Sequence, residues 1–181
     1  PDAIYLSASF GKREIDYTYG IRDAIISKSL TDYDIIIPYY ENLDEPDDTL
    51  ADDCLITYLG SHPEFMSILV YFNRIEEAEN FANKCNKNGI KAASMSCNES
   101  QTDRKKLLDD FRSGIIRLIA SVNTLGEGID ITNADVCCFA RIRNSEVSII
   151  QCIGRVLRLH KLKRISHVIL PFEYNPNNQD L

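Results

Sequence analysis

The chain has 181 residues, 44% of them apolar, and its 20 Lys and Arg against 27 Asp and Glu leave a net charge of −7. That length holds one domain with a sizeable core plus flanking material, and that apolar share excludes global disorder. No apolar run approaches the ~18 to 20 residues needed to span a bilayer, and net charge alone is the wrong sign for clinging to nucleic acid.

The opening PDAIYLSASFGKREID has no basic region followed by an apolar stretch and a small-residue cleavage site, so a signal peptide is not expected there. A chain that begins at Pro1 rather than at Met is expected to be a piece of a longer polypeptide. IYLSAS (4–9) reads as a short buried strand running into small hydroxyl residues. DYDIIIPYY (32–40) is an extended apolar segment stopped by Pro38. ENLDEPDDTLADD (41–53) holds seven acids and no base, and reads as a surface linker with Pro46 as punctuation. TLADDCLITYLG (49–60) spaces Leu50, Cys54, Leu55, Tyr58 and Leu59 as a helix does, with Gly60 fitting a C-terminal cap.

From there strands and helices alternate. MSILVYF (66–72) is an apolar strand. RIEEAENFANKCNKNG (74–89) is a helix with a core stripe of Ala78, Phe81, Ala82 and Cys85, closed by Gly89. IKAASM (90–95) is a strand. SQTDRKKLLDDFRSG (100–114) is a helix with Ser100 as N-cap, Asp103 three residues on, a buried face of Leu107, Leu108 and Phe111, and a stop at Gly114. IIRLIAS (115–121) and ADVCCFA (134–140) are strands. SEVSIIQCIGRVLRLH (145–160) is a helix capped by Ser145. ISHVILPF (165–172) is the last strand, ended by Pro171, and the tail is polar. Strands apolar on both faces that alternate with three-turn helices predict an α/β, three-layer sandwich around a mainly parallel sheet.

Six cysteines are present, none in a C-x-x-C pair and several within apolar runs. Zinc ligation needs clustered ligands at set spacings, so these read as buried reduced thiols with no metal bound. That expectation favours a reducing intracellular compartment, cytoplasm or nucleus, over secretion. Charge is uneven. Residues 103–164 carry twelve Lys or Arg against seven Asp or Glu, so the second half can meet an anionic ligand in spite of the overall acidity.

Ligands of an open parallel sheet bind beyond the carboxyl ends of its strands, and two segments are expected there. In SVNTLGEGID (121–130), Gly126 and Gly128 permit close backbone approach, Asp130 can accept from a ribose hydroxyl, and Asn123 or Thr124 can donate to a phosphate. An ordinary glycine loop fits the same residues. In QCIGRVLRLH (151–160), helical spacing puts Gln151, Gly154, Arg155 and Arg158 on one face. Two arginines beside a small residue suit a phosphate claw, and suit equally the solvated edge of an amphipathic helix. HKLKR (160–164) reads as a solvated turn or an added basic patch.

Taken in order, these segments resemble the C-terminal RecA-like domain of superfamily 2 helicases. ILVYF followed by NRIEEAENFA is similar to motif IV and its helix. SCNESQTDRKKLLDDFRSGIIRLIAS resembles the segment in which a helix ending Phe-x-x-Gly precedes the next strand. SVNTLGEGIDI resembles motif V, QCIGRVLR resembles motif VI with the pattern Q-x-x-G-R-x-x-R, and LSASF (6–10) resembles motif III. The resemblance covers residues 4–10 and 66–172. Motif VI opens with Gln rather than His-Arg and motif V carries Glu127, which places the chain nearer the DExH and restriction-and-repair branches than the DEAD-box proteins.

The resemblance implies that ATP sits between two RecA-like domains, the first supplying the P-loop and the acid that holds Mg²⁺. This chain has no G-x-x-x-x-G-K-[ST] and no D-E-x-D/H box, so it is expected to be inactive alone. The N-terminal RecA-like domain of the same polypeptide is its expected partner. By that resemblance Arg158 is the arginine finger, Arg155 a second phosphate contact or domain clamp, and Gln151 an orienting group near the nucleotide or the attacking water. Glu127, Gly128, Asp130 and Gly154 belong to the ATP side. Nucleic acid, DNA or RNA with a lean to DNA, would cross the opposite rim on Asn73, Arg74, Ser96, Asn98, Arg104, Asn123 and Thr124. The implied division is residues 1–60 as the end of a first helicase domain, an acidic linker and a connecting helix, 61–175 as the C-terminal domain, and 176–181 as a polar tail. The competing reading is a non-catalytic scaffold that retains a helicase-like fold.

Overall fold

The computed structural model describes residues 20–42, 47–96, 98–122, 131–161 and 163–176. In chain order its elements are α1 (Ile21–Ile26), β1 (Asp32–Ile36), β2 (Tyr39–Glu41), α2 (Asp48–Ser61), β3 (Ile68–Tyr71), α3 (Ile75–Lys87), β4 (Ala92–Met95), α4 (Gln101–Arg112), β5 (Leu118–Ser121), β6 (Val136–Phe139), α5 (Glu146–Val156), β7 (Ile165–Ile169) and β8 (Phe172–Tyr174). The strand-like segment at 4–10 lies outside the described residues.

Six strands form one sheet in the order β1-β7-β6-β3-β5-β4, with every pair parallel. β3, β5 and β6 are buried at every position and hold the centre. The more polar β1 and β4 take the edges, where one backbone side and part of each face stay wet. Alternate side chains feed two cores. Ile68, Val70, Leu118, Ala120, Val136 and Cys138 pack under α2 and α3, against Leu55, Leu59, Phe81 and Cys85. Leu69, Tyr71, Ile119, Cys137 and Phe139 pack under α4 and α5, against Leu108, Phe111, Cys152 and Val156. This is the expected three-layer, RecA-like α/β sandwich with a parallel sheet.

The helices begin where the sequence marks them. Ser100 Oγ accepts from the Asp103 amide at 3.1 Å and Ser145 Oγ from the Ser148 amide at 3.3 Å. The core stripe of α3 is Ala78, Phe81, Ala82 and Cys85, as its spacing predicts. Gly89 and Gly114 follow α3 and α4 with φ of 81° and 76°, the left-handed backbone that ends a helix cheaply only at glycine.

Four local expectations change. The acidic stretch is in part a helix start, because Asp47 caps α2 by accepting from the Thr49 amide at 2.7 Å. Gly60 lies inside α2 rather than capping it. The end of α2 is held instead by Arg117, whose guanidinium donates to Leu59 O (3.0 Å), His62 O (2.6 Å) and Phe65 O (2.8 Å). Pro38 and Pro171 do not end their strands for good. The pairing register puts them opposite each other, so the ladder breaks where neither has an N–H and resumes as the parallel pair β2–β8. Residues ahead of position 60 therefore build β1, one edge of the main sheet.

The fourth concerns α5, which ends at Val156, four residues early. Its last carbonyls are already taken. Val156 O accepts from Ser166 Oγ at 2.6 Å and from Lys163 Nζ, Leu157 O from the Thr31 amide at 2.8 Å, and Arg158 O from Thr31 Oγ1 at 3.2 Å. These tertiary bonds satisfy carbonyls that another turn would have paired, so the helix ends here without leaving them unpaired.

The five described cysteines are free thiols, four of them buried. Burial pushes Cys85 up to about 12 and Cys137 and Cys138 up as well, so these thiols stay protonated at neutral pH.

Arg117 and Arg112 supply a matched test. Arg117→Met strips a charged donor from three carbonyls and is expected to lower unfolding free energy by about 1.5–3 kcal/mol. Arg112→Met removes an exposed ion pair with Asp109, worth about 0–1 kcal/mol. Urea denaturation of the two variants checks the difference, and equal costs would refute the capping role.

Candidate functional site

In a parallel sheet the connections leave from one edge and return to the other, so each candidate residue is assigned by where its loop sits. β3, β5 and β4 are neighbours, and their carboxyl ends open onto one rim. Asn73 and Arg74 follow β3 and are exposed. Asn73 Nδ2 donates to Ile142 O at 3.1 Å, while the Arg74 amide starts α3 by donating to Glu77 at 3.0 Å. Ser96 and Asn98 follow β4 in a loop closed on itself. The Ser96 amide donates to Glu99 at 2.8 Å, the Asn98 amide to Ser96 Oγ at 3.3 Å, and the Arg104 guanidinium to Ser96 O at 2.9 Å. Arg104 is half-buried and so shapes this loop from behind. Asn123, Thr124, Glu127, Gly128 and Asp130 lie outside the described residues.

α5 leaves β6 at the same carboxyl rim and returns to the amino ends of the strands. Gln151 is exposed on it, and Gly154 and Arg155 are half-buried. Burial raises the hydroxyl of Tyr71 and the thiol of Cys152, and the nearby Arg155 charge opposes both shifts. Arg158 lies two residues beyond Val156, exposed, with its carbonyl held at the amino end of β1 by Thr31. For Arg158 the expectation of a place on one continuous helical face, and at the carboxyl rim, is thus corrected. Arg158 is delivered to the amino edge because an eleven-residue helix, at about 1.5 Å per residue, carries the chain past the length of the strands. The structure brings Gln151, Gly154 and Arg155 together on α5 and puts Arg158 just past its end. It brings Asn73, Arg74, Ser96, Asn98 and Arg104 to the opposite edge.

Two residues of the carboxyl rim escape sequence reasoning. In RIR, just after β6, Arg141 turns to one face. It pairs with Asp52 (3.0 Å) and Asp48 (3.3 Å) and lies 5.3 Å from the Phe72 ring centre. Arg143 turns to the other face, 5.3 Å from the Tyr71 ring centre. It donates to Ser148 Oγ, to Phe72 O at 2.9 Å and to Val122 O. Arg143 therefore ties the carboxyl ends of β3 and β5 to the start of α5. The usable signal was two arginines at i and i+2 in extended chain, whose side chains must go to opposite faces. Asp52 is mostly buried, and burial raises its carboxyl even against the Arg141 charge.

Among the described residues no group of three or more His, Cys, Asp or Glu is placed to hold a metal, and no helix is long and apolar enough to cross a membrane.

The family model described as "Helicase conserved C-terminal domain" matches residues 51–160. The chain belongs to the superfamily 2 helicase C-terminal domains. The helicase domain is 30% identical over 168 residues to UvrABC system protein B of Psychromonas ingrahamii, covering 87% of this chain and 24% of that protein. It is 28% identical over 115 residues to a 51.5 kDa protein of a Lactococcus phage, covering 64% of this chain and 25% of that one. It thus spans about a quarter of the length of these relatives. In fold it is similar to the E. coli DEAD-box protein SrmB, solved bound to RraA, with a TM-score of 0.64 and 20% identity over 76% of this chain and 78% of that one. The type ISP restriction-modification enzyme LlaBIII, solved bound to DNA, gives the same TM-score and identity over 87% of the helicase domain and 13% of that chain.

Gly154 separates packing from ligand use. A Cβ built there meets no atom within 4 Å, so the domain's own packing does not require glycine. A helical glycine costs about 0.5–1 kcal/mol relative to alanine. Gly154→Ala is therefore expected to stabilise the isolated fold by about that amount in urea titrations. Destabilisation instead would make Gly154 a packing residue.

Proposed function

We propose that this domain is the second motor half of an ATP-dependent nucleic-acid helicase or translocase. It would close on a P-loop domain of the same polypeptide, which supplies the ATP phosphate cradle and the acid that holds Mg²⁺. The observation that carries this reading is the delivery of Arg158, just past the end of α5, to the amino edge of the sheet while the polar loops after β3 and β4 line the carboxyl edge.

In this reading Arg158 is the arginine finger. Its exposure and its anchored backbone suit a guanidinium that must reach a phosphate on another domain without moving its own main chain. The chemistry is charge stabilisation. A guanidinium held against the equatorial oxygens of the transferring phosphoryl group offsets negative charge that grows in the transition state. Arg155, half-buried beside Tyr71 and Cys152, is the more rigid second contact, and Gln151 orients groups near the nucleotide. The open space beside Gly154 leaves room for the facing domain. Glu127, Gly128 and Asp130 complete the nucleotide side through the ribose.

Nucleic acid crosses the carboxyl rim, with Asn73, Arg74, Ser96, Asn98, Asn123 and Thr124 reaching phosphates and Arg104 fixing the loop that presents Ser96 and Asn98. DNA is the favoured track. The form of motifs V and VI carries that lean, and the type ISP enzyme of similar fold was solved bound to DNA, whereas two relatives are named as RNA helicases. The DExH and restriction-and-repair branches are favoured for the same reason.

ATP hydrolysis by the full-length polypeptide, alone and with single-stranded DNA or RNA, tests the proposal. Stimulation by one polymer names the track, and Arg158→Ala is expected to lower turnover by about 10³- to 10⁵-fold while ATP binding persists. A folded wild-type protein that hydrolyses no ATP with either polymer would favour the scaffold reading.

A further inference from the structure

Lys163 joins two segments that the nucleotide reading needs held together. Its ammonium donates to Val156 O at 2.5 Å, to Ala134 O at 3.0 Å and to Thr132 O at 3.3 Å. Val156 is the last residue of α5, one turn beyond Gln151 and two residues before Arg158. Thr132 and Ala134 belong to the stretch that follows directly on Asp130 in the chain and leads into β6. An ammonium has three donors, and here all three go to main-chain carbonyls. A lysine is seldom spent this way, since its charge gains more from a carboxylate or from water.

Ser166 reinforces the arrangement. Its buried hydroxyl also donates to Val156 O, so the end of α5 is held from β7 and from the turn before it at once. The 131–135 stretch has anchors of its own. Asp135 accepts from the Met66 and Ser67 amides at 2.9 Å each, and Asn133 donates to Ser67 Oγ at 3.1 Å. Lys163 is the described side chain that bonds both this stretch and the end of α5.

We propose that Lys163 is a positioning residue for the nucleotide site, setting the place of the motif VI arginines relative to the chain that emerges from motif V. This rests on the nucleotide role given above to Arg158 and Asp130. The lysine touches no substrate. It acts by fixing the backbone from which Arg158 projects, and an error of about 1 Å in such a group is enough to cost roughly 100-fold in rate.

Electrostatics supports the geometry. Burial holds the Lys163 ammonium well below its ordinary 10.5, at about 8, and the Asp135 charge only partly offsets that. The cavity beside it, of about 550 Å³, presents Glu64, Arg112, Asp135, His160, Arg164 and His167 as its other charged or titratable groups. His167 is already bonded to Asp34 at 2.6 Å and Arg112 to Asp109. As pH rises through about 8, Lys163 loses its charge and its grip on the three carbonyls weakens. The same titration favours the folded state. The folded protein releases this proton near 8 and the unfolded chain only near 10.5, so the contribution of Lys163 to stability grows across that window. Loss of the Lys163 charge is therefore not itself a cause of unfolding in that window.

The test uses the full-length polypeptide with its stimulating nucleic acid. Lys163→Met is expected to lower kcat roughly 10- to 100-fold with KM for ATP changed less than about threefold. Lys163→Arg, which keeps the charge and several donors, is expected to restore most of the loss. Wild-type kcat should decline above about pH 8, and Lys163→Arg should remove that decline because a guanidinium stays charged. Arg158→Ala is run beside them. If Arg158→Ala loses turnover while Lys163→Met keeps wild-type kcat, or Lys163→Arg declines with pH as wild type does, the positioning role is overturned and the nucleotide reading stands. If Arg158→Ala keeps wild-type turnover, the nucleotide reading itself fails. Should Lys163→Met not fold, the pH profile of Lys163→Arg decides alone.

Discussion

Burial of three adjacent strands on both faces governs this molecule. β3, β5 and β6 have no position that tolerates water, so they must lie side by side with helices above and below. Parallel pairing follows, since α3, α4 and α5 carry the chain back to the starting edge after β3, β4 and β6. The two edges of the sheet then become chemically distinct. One receives the loops that follow strands, the other the turns that follow helices. The separation of the polar loops after β3 and β4 from Arg158 is a consequence of that sorting.

Cations at strand and helix ends do the remaining fixing. Arg117, Arg143 and Lys163 each donate to two or more main-chain carbonyls drawn from different elements. Carbonyls at the ends of strands and helices have no partner within their own element and become costly when buried. A long cationic side chain reaches several of them at once. Arg141 differs, since beyond its own neighbour's carbonyl, Ala140 O, it answers the buried carboxylate of Asp52. Several basic residues in this acidic chain are thus internal fasteners. A count of Lys and Arg overstates the positive surface of the second half, and Arg104 is an example among the residues first assigned to nucleic acid.

The strand centres, the α3 stripe and the Ser100 and Ser145 caps were legible in the sequence because each depends on neighbours three or four residues away. The motif VI pattern was legible for the same reason, and the family match over residues 51–160 agrees with it. The end of α5 was not legible. Nothing between Val156 and His160 forbids another helical turn, and the bonds that stop it come from Thr31, Lys163 and Ser166. The β2–β8 pair was missed because Pro38 and Pro171 each read as a stop, and only their register shows that the two stops coincide.

The sequence by itself determined the layer order, the composition of the two cores and the family, since these follow from local periodicity and from short spaced motifs. The tertiary structure decided which edge each functional segment occupies, where α5 releases Arg158, and what Arg141, Arg143 and Lys163 hold. Those outcomes depend on side chains meeting carbonyls up to 127 positions away, as Thr31 meets Arg158. No local pattern encodes that meeting, because it exists only once the strands have chosen their neighbours.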